Sequence, residues 1–209
     1  MPSDRDVFVN CPFDALYRDL FDATVFAILR SGFVARSALE VDDAGVNRFD
    51  KICAIIGECR FSVHDISRTE LSAGTNLPRF NMPLELGLFL GAKKFGGAKH
   101  RSKCCIVFDR EAHRYQKFIS DIAGQDIHQH GNEPETLIAE LATWLRGLKI
   151  SSVAPGGTKI AKEYHEFRQN ALPHILEDRQ LEEAEMTFGD FTAILTAYFP
   201  DAERDASSA

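Results

Sequence analysis

The sequence predicts an α/β fold: a doubly wound, mostly parallel sheet of four to five strands, followed by a small C-terminal helical extension. Short apolar runs alternate with longer segments of helical periodicity. Within residues 103–109, the five residues between Lys103 and Asp109 are continuously apolar, as is typical of a central strand buried on both faces. A hydrophobic fraction of 44% with 16 phenylalanines supplies a large core.

Each predicted strand is a short run rich in β-branched and aromatic residues that is bounded by turn residues. The first closes at the turn Asn10-Cys-Pro-Phe-Asp14, and the third ends in His64-Asp65. The fifth is the weakest, because it is only three residues long. The predicted strands are residues 6–10, 33–39, 60–66, 103–109 and 126–128.

Helices are predicted between successive strands, which gives the strand–helix alternation of a parallel sheet. Gly32 is expected to end the first helix, since glycine readily adopts the left-handed conformation that follows a helix. The third helix follows a polar, glycine-containing loop at residues 67–79 and ends near Phe95. The other predicted helices are residues 15–31, 47–59, 110–123 and 134–148.

We expect two parts, an α/β domain at residues 1–150 and a linker with a helical extension at residues 151–209. The segment 151–157 has linker composition, and helices are predicted at residues 162–176 and 190–199. The apolar stripe of the last helix suits packing on the sheet domain or docking of another copy or a partner protein. The extension carries most of the negative charge.

Composition excludes several classes of protein. The net charge of −7 argues against a general nucleic-acid or membrane-surface binder, and no apolar run reaches the ~18 residues of a membrane span. Five cysteines lie mostly in apolar runs, which indicates reduced thiols. We therefore expect a cytoplasmic protein without a metal, whose partner is a small molecule.

The sequence lacks the phosphate-binding glycine motifs of redox dinucleotide sites and of P-loop ATPases, and it has no G-x-S-x-G elbow. Polar residues instead follow successive strands. Because the carboxyl ends of parallel strands share one edge of the sheet, Asn10, Asp14, Asp65 and Asn81 can converge on one crevice.

Glu85 lies near the start of an otherwise apolar helix, in the segment Pro83-Leu-Glu-Leu-Gly-Leu-Phe-Leu-Gly-Ala-Lys93. It is open to two interpretations. A first-turn acid complements the positive end of the helix dipole, which stabilises by a few tenths to ~1 kcal/mol. A partly desolvated carboxylate at the carboxyl edge of a sheet would instead be a nucleophile or base. Asp65 likewise is either catalytic or a cap of its turn.

Two segments of the sequence resemble a known superfamily. Asp6-Val-Phe-Val-Asn-Cys-Pro-Phe-Asp14 is similar to the opening of TIR-like proteins. His64-Asp-Ile-Ser67, followed by the Glu85 segment, resembles the core of nucleoside 2-deoxyribosyltransferases, except that Arg79 and Asn81 stand where that family usually has a second aspartate. The resemblance covers about residues 5–148 and implies a flavodoxin-like, TIR-like sheet.

The resemblance implies cleavage or exchange at an N-glycosidic bond of a nucleotide-type substrate, either NAD or a nucleoside or nucleotide. Glu85 would be the catalytic carboxylate, and Asp65 would orient it or bind a sugar hydroxyl. The substrate-binding residues would be Asn10, Asp14, Arg36, Arg48, Arg79 and Asn81. The arginines would hold a phosphate. No cofactor is implied, because NAD would be a substrate and not a redox cofactor.

The alternative is a non-catalytic TIR-like module that senses a nucleotide or assembles with itself in signalling; the resemblance links such modules to bacterial antiviral defence. The C-terminal helices would then make a homo-oligomer or bind a partner protein. Release of free base would support the enzyme, and self-association through the C-terminal helices would support the non-catalytic module.

Overall fold

A computed structural model of the chain describes residues 3–40, 43–71, 74, 76–151 and 154–199. It contains a five-stranded parallel sheet with the strand order β2-β1-β3-β4-β5, which confirms the predicted doubly wound α/β fold. The strands are β1 (Ser3–Asn10), β2 (Val34–Arg36), β3 (Cys59–Asp65), β4 (Cys104–Asp109) and β5 (Ile127–Gln129).

Several helices begin or end at residues whose conformation or side chain caps the helix. Gly32 follows α1 with a φ of 79°, as predicted, and the Asn47 side chain caps α2 by accepting from the Phe49 N–H. Thr187 and Asp190 form a capping box at the start of α7. The helices are α1 (Arg18–Arg30), α2 (Arg48–Glu58), α3 (Asn81–Phe95), α4 (Pro134–Gly147), α5 (Gly157–Glu166), α6 (Leu172–Asp178) and α7 (Phe188–Tyr198).

The sheet separates two apolar layers. Val7 and Val9 of β1 belong to the core that includes α1 and α4, whereas the intervening Phe8 packs with α2 and α3. This alternation follows from the two-residue repeat of a strand. Helices therefore cover both faces, and the loops at the carboxyl ends of the strands remain at one edge, where the candidate site lies.

The predicted helix at residues 110–123 is wrong. The structure has two short 3₁₀ turns there, Arg114–Lys117 and Ser120–Ile122. His113 adopts a left-handed conformation with a φ of 58°, and the buried Arg114 guanidinium lies 2.7 Å from Asp109 Oδ1 while donating to the carbonyl groups of Ile66 and Ser67. These contacts, which join the ends of β3 and β4, override local helix propensity.

Part of the segment predicted as a linker is a packing site. Gly157 begins α5, earlier than the predicted helix at residues 162–176, and a Cβ atom there would lie 2.5 Å from the Ala139 Cα of α4. Glycine is therefore required for the close approach of the two helices. Residues 152–153 of the predicted linker and residues 200–209 of the extension lie outside the described residues.

The C-terminal helices pack on the sheet domain, which is the first of the two interpretations of their apolar stripe. Tyr164, Phe167 and Phe191 are buried in the same core as α1 and α4. Arg30 of α1 and Glu163 of α5 form a bidentate ion pair with N–O distances of 2.7 and 3.3 Å. Among the described residues, no helix has the length and apolar character needed to cross a membrane.

Candidate active site

A small cavity of about 160 Å³ lies at the carboxyl edge of the sheet. It opens above β1, where the direction of strand succession across the sheet reverses, because β2 lies on one side of β1 and β3 lies on the other. Ligand sites of doubly wound sheets occur at this position. Its walls come from the loop after β1, the start of α2, the loop after β3 and the start of α3: Pro12, Phe13, Asp14, Arg48, Arg68, Arg79, Asn81 and Met82.

Three arginines make the cavity positively charged. Within the described residues, Arg48 and Arg79 form no ion pair, and Arg68 lies 3.6 Å from Asp14 Oδ1. Guanidinium groups bind phosphate through paired N–H donors, and two of these groups have no carboxylate to displace. The structure thus brings together Asp14, Arg48, Arg79 and Asn81 of the predicted substrate-binding residues.

Glu85 lies one turn beyond Asn81 on the same side of α3, since residues four apart share a helix face. The first turn of α3, residues 81–84, is fully described and contains no acid, so the interpretation of Glu85 as a first-turn acid is wrong. Glu85 is only 7% exposed, and within the described residues it accepts no hydrogen bond.

The burial of Glu85 raises its pKa from 4.5 to about 7, and the charge of Arg48 opposes this rise. Arg48 also lines the cavity, so the carboxyl group is electrostatically coupled to the phosphate-sized site. A carboxyl group with a pKa near 7 exists in both protonation states at neutral pH. This property suits a nucleophile or an acid–base catalyst, and perturbed acids of this kind concentrate at functional sites.

The amino end of α3 adds polar character to the cavity. Asn81 and Met82 occupy the first positions of the helix, and Pro83 follows them. The first N–H groups of a helix have no intrahelical acceptor, and among the described residues no side chain caps this end. Backbone donors and the helix dipole therefore favour an anion next to the arginines.

Asn10 and His64 lie beneath the cavity and not in its wall. Both are buried, and Asn10 Nδ2 lies 2.8 Å from His64 Nδ1 and donates to the Met82 carbonyl at 2.9 Å. Burial lowers the pKa of His64 to about 3, so its ring is neutral and packs edge-on against Phe8 and Phe89. Asn10 thus ties the end of β1 to the start of α3 and positions the helix that carries Glu85.

Asp65 is fully buried and caps its own turn, because its Oδ1 accepts the Ser67 N–H at 2.8 Å. Its Oδ2 accepts the Tyr17 hydroxyl at 2.6 Å and lies 3.0 Å from His130 Nε2. His130 Nδ1 accepts the Asn132 N–H, which places the ring proton on Nε2, although the contact of Nε2 with Asp65 lacks hydrogen-bond geometry. No hydrogen bond or ion pair joins Asp65 to Glu85 in the described part of the chain.

The Asp65 network holds the loop that forms one wall of the cavity. Tyr17 closes the turn that contains Asp14, since the Tyr17 N–H donates to the Asp14 carbonyl at 3.0 Å. Cys11 lies in the same buried cluster, and burial followed by the charge of Asp65 raises its thiol pKa well above the ordinary value. Cys11 is therefore a packed thiol and not a nucleophile.

Arg36 lies away from this cavity. Its guanidinium is surrounded by three carboxylates, Glu40 at 2.7 Å, Asp6 at 2.8 Å and Glu58 at 3.1 Å. The pKa of Arg36 is raised mainly by its hydrogen bond to Glu40. These contacts join β2, β1 and the end of α2. Arg36 therefore supports the edge of the sheet and does not line the cavity.

Four residues of the site escaped the sequence analysis. Arg68 follows the strand end directly, at the same edge as Asp65, and this position is a signal that could have identified it. Phe13 lies in the loop after β1 and is 40% exposed. Tyr17 and His130 contact Asp65 from distant parts of the sequence, so no local pattern indicates them.

His128 and His130, in and just after β5, do not form a common metal-binding site. His128 Nδ1 lies 2.9 Å from Glu140 Oε2, while the His130 ring faces Asp65. The described residues contain no cluster of three or more His, Cys, Asp or Glu side chains that could hold a metal ion.

Comparisons of the chain with protein-family models, with curated proteins and with solved structures find no match.

Proposed function

We propose that the protein cleaves or exchanges the N-glycosidic bond of a phosphate-bearing nucleotide, with Glu85 as the reacting carboxylate. The observation that carries this proposal is the pairing of a buried carboxyl group of pKa about 7 with the charge of Arg48, an arginine of the cavity wall. Breaking an N-glycosidic bond develops positive charge on the sugar. A carboxylate beside the anomeric carbon stabilises that charge or forms a transient glycosyl ester.

The substrate phosphate would bind Arg48 and Arg79, with the backbone donors at the start of α3 contributing further hydrogen bonds. Asp14 supplies the carboxyl group of the cavity wall, and it can accept hydrogen bonds from sugar hydroxyl groups. The cavity of about 160 Å³ is smaller than the ~300–1,000 Å³ of typical ligand sites. It therefore accommodates the sugar and phosphate, with the base extending past Phe13 at the opening.

Glu85 must be ionised to act as a nucleophile, and its buried position favours the protonated form. Phosphate binding at Arg48 would remove some of the positive potential that keeps Glu85 ionised. The chemistry thus depends on the balance between the burial of Glu85, which favours its protonated form, and the charge of Arg48, which favours its ionised form.

The proposal is tested by incubating the protein with NAD, nucleoside monophosphates and deoxynucleosides and measuring free base. We expect base release from at least one phosphate-bearing compound and none with Glu85→Gln. Glu177→Gln, which removes an exposed acid of α6, is the matched control and should behave as the unmodified protein. The absence of base release from every compound, or equal release by Glu85→Gln, would contradict the proposal.

A second candidate function is nucleotide binding without cleavage, and it is favoured by the absence of Glu85 from the residues that line the cavity. The same arginines would then bind the phosphate, but Glu85 would only tune the charge of the site. Calorimetric binding of a nucleotide that is recovered intact after prolonged incubation would support this candidate over the enzyme.

A further inference from the structure

Helix α3 is apolar on almost every side. Between Asn81 and Ala92, Glu85 is the only charged residue, and it faces the protein interior. Leu86 and Phe89 are also buried, on the side that packs against the sheet. A helix that is apolar all round is normally covered all round. The outer side of α3, however, faces solvent.

The outer side forms an open groove of about 690 Å³, which we call the α3 face. It contains no charged residue. Two glycines form its floor, and larger apolar side chains stand beside and beyond them. Its residues are Pro83, Leu84, Gly87, Leu88, Gly91, Ala92, Phe95 and Gly96.

The exposure of the α3 face is high for its residue types. Phe95 is 85% exposed and Leu84 is 55% exposed, and Phe80, just before the helix, is 54% exposed. With about 200 Å² of surface per ring, Phe95 alone exposes roughly 170 Å². That is about a fifth of the ~800 Å² that each partner of a stable interface buries, before the other residues of the α3 face are counted.

The α3 face is complementary to itself in the antiparallel sense. With a twofold axis between Phe89 and Leu90, Leu88 lies opposite Gly91 of the second copy, and Leu84 lies opposite Phe95. Gly87 lies opposite Ala92 in the same register. Leu88 thus meets a small residue near the centre of the α3 face, and Leu84 packs against Phe95 at each of its ends. Antiparallel alignment also opposes the two helix dipoles.

The glycines leave the space that this arrangement needs. A Cβ atom added at Gly87 or Gly91 would meet nothing within 4 Å among the described residues of the chain, so no contact with them requires glycine at either position. Neither residue has a positive φ. Glycine within a helix is destabilising by roughly 0.5–1 kcal/mol relative to alanine. Close approach of another helix backbone accounts for two such residues one turn apart.

We propose that the α3 face is the interface of a twofold-symmetric homodimer, in which the α3 helices of two copies pack antiparallel across Gly87 and Gly91. A second copy is favoured as the occupant because its own face supplies the matching ridges and hollows, as a twofold interface requires. This dimer does not involve the C-terminal helices, whose apolar stripe is buried within the chain except for Tyr198, which is 37% exposed.

The first test measures the mass of the full chain by analytical ultracentrifugation over a range of micromolar concentrations. We expect a dimer whose dissociation constant rises about tenfold or more in Gly91→Gln, because the larger side chain blocks the close approach. Leu16→Glu, a change at an 83% exposed leucine outside the α3 face, is the matched control and should leave the constant unchanged.

Gly91→Gln also separates loss of the interface from loss of the fold. Glutamine is the better helix former, and its Cβ has open space in the single chain. At concentrations where the protein is a monomer, we expect the variant to melt about 2–3 °C higher than the unmodified protein. A monomeric unmodified protein at all concentrations, or a dimer that Gly91→Gln does not weaken, would overturn the proposal.

The second test determines the register. In a background that carries Cys53→Ser to remove the exposed thiol, Leu88→Cys and Gly91→Cys are made as separate variants. We expect mild oxidation to link the two variants when they are mixed and to link neither variant with itself. Efficient self-linking of Leu88→Cys would instead show a parallel or shifted pairing and would overturn the antiparallel arrangement.

Discussion

Replacing Glu85 with glutamine should stabilise the folded protein at alkaline pH. The pKa of Glu85 is raised from 4.5 to about 7 by burial, so between these pH values the folded protein binds more protons than the unfolded chain. The free energy of unfolding therefore falls as pH rises through this window, and the loss is complete above pH 7. A shift of about 2.5 units corresponds to about 3 kcal/mol at most.

Glutamine keeps the size of the side chain but cannot ionise. We measure urea unfolding of Glu85→Gln and the unmodified protein at pH 4 and pH 8. The difference in unfolding free energy should move in favour of the variant by about 2–3 kcal/mol between the two pH values. In the control Glu177→Gln, an exposed change, the difference should stay flat. A variant that is less stable than the unmodified protein at pH 8 would refute a desolvated Glu85.

Two further substitutions test a residue of the cavity wall and a buried residue that supports the wall. Arg79→Gln should weaken the binding of a nucleoside monophosphate about tenfold or more, because it removes a charge-assisted hydrogen bond to the phosphate. Binding of the corresponding nucleoside should be unchanged. Calorimetry that shows equal losses of affinity for both ligands would contradict a phosphate-binding role for Arg79. Tyr17→Phe should lower the free energy of unfolding by about 2 kcal/mol, because it removes a buried 2.6 Å hydrogen bond to Asp65, and denaturant unfolding that shows no loss would contradict this role.

Most of the fold could be predicted from local patterns. All five strands lie where apolar runs end at turn residues, because a strand buried on both faces leaves a strong apolar signal. β2 is only three residues long, Val34–Arg36, although the run extends to Leu39. The segment after β4 could not be predicted, since Arg114 is fixed by groups on a neighbouring strand and loop.

The candidate site was predictable only in part. The common edge of a parallel sheet predicted that Asp14 and Asn81 lie together, because strand direction alone places these loops at one edge, whereas Arg48 and Arg79 followed only from the family resemblance. The same rule does not distinguish a wall from a buried support. Asn10 and Asp65 both end strands at this edge, yet their side chains turn inward.

The most direct test of the proposed chemistry is the pH dependence of base release. If the ionised Glu85 reacts, kcat/KM should rise with pH to a plateau with a midpoint of about 7. Because Arg48 lowers the pKa of Glu85, Arg48→Gln should move that midpoint to higher pH, and Glu85→Gln should release no base at any pH. A midpoint near 4 that Arg48→Gln leaves unchanged, or base release by Glu85→Gln, would contradict the central claim that Glu85 performs the reaction.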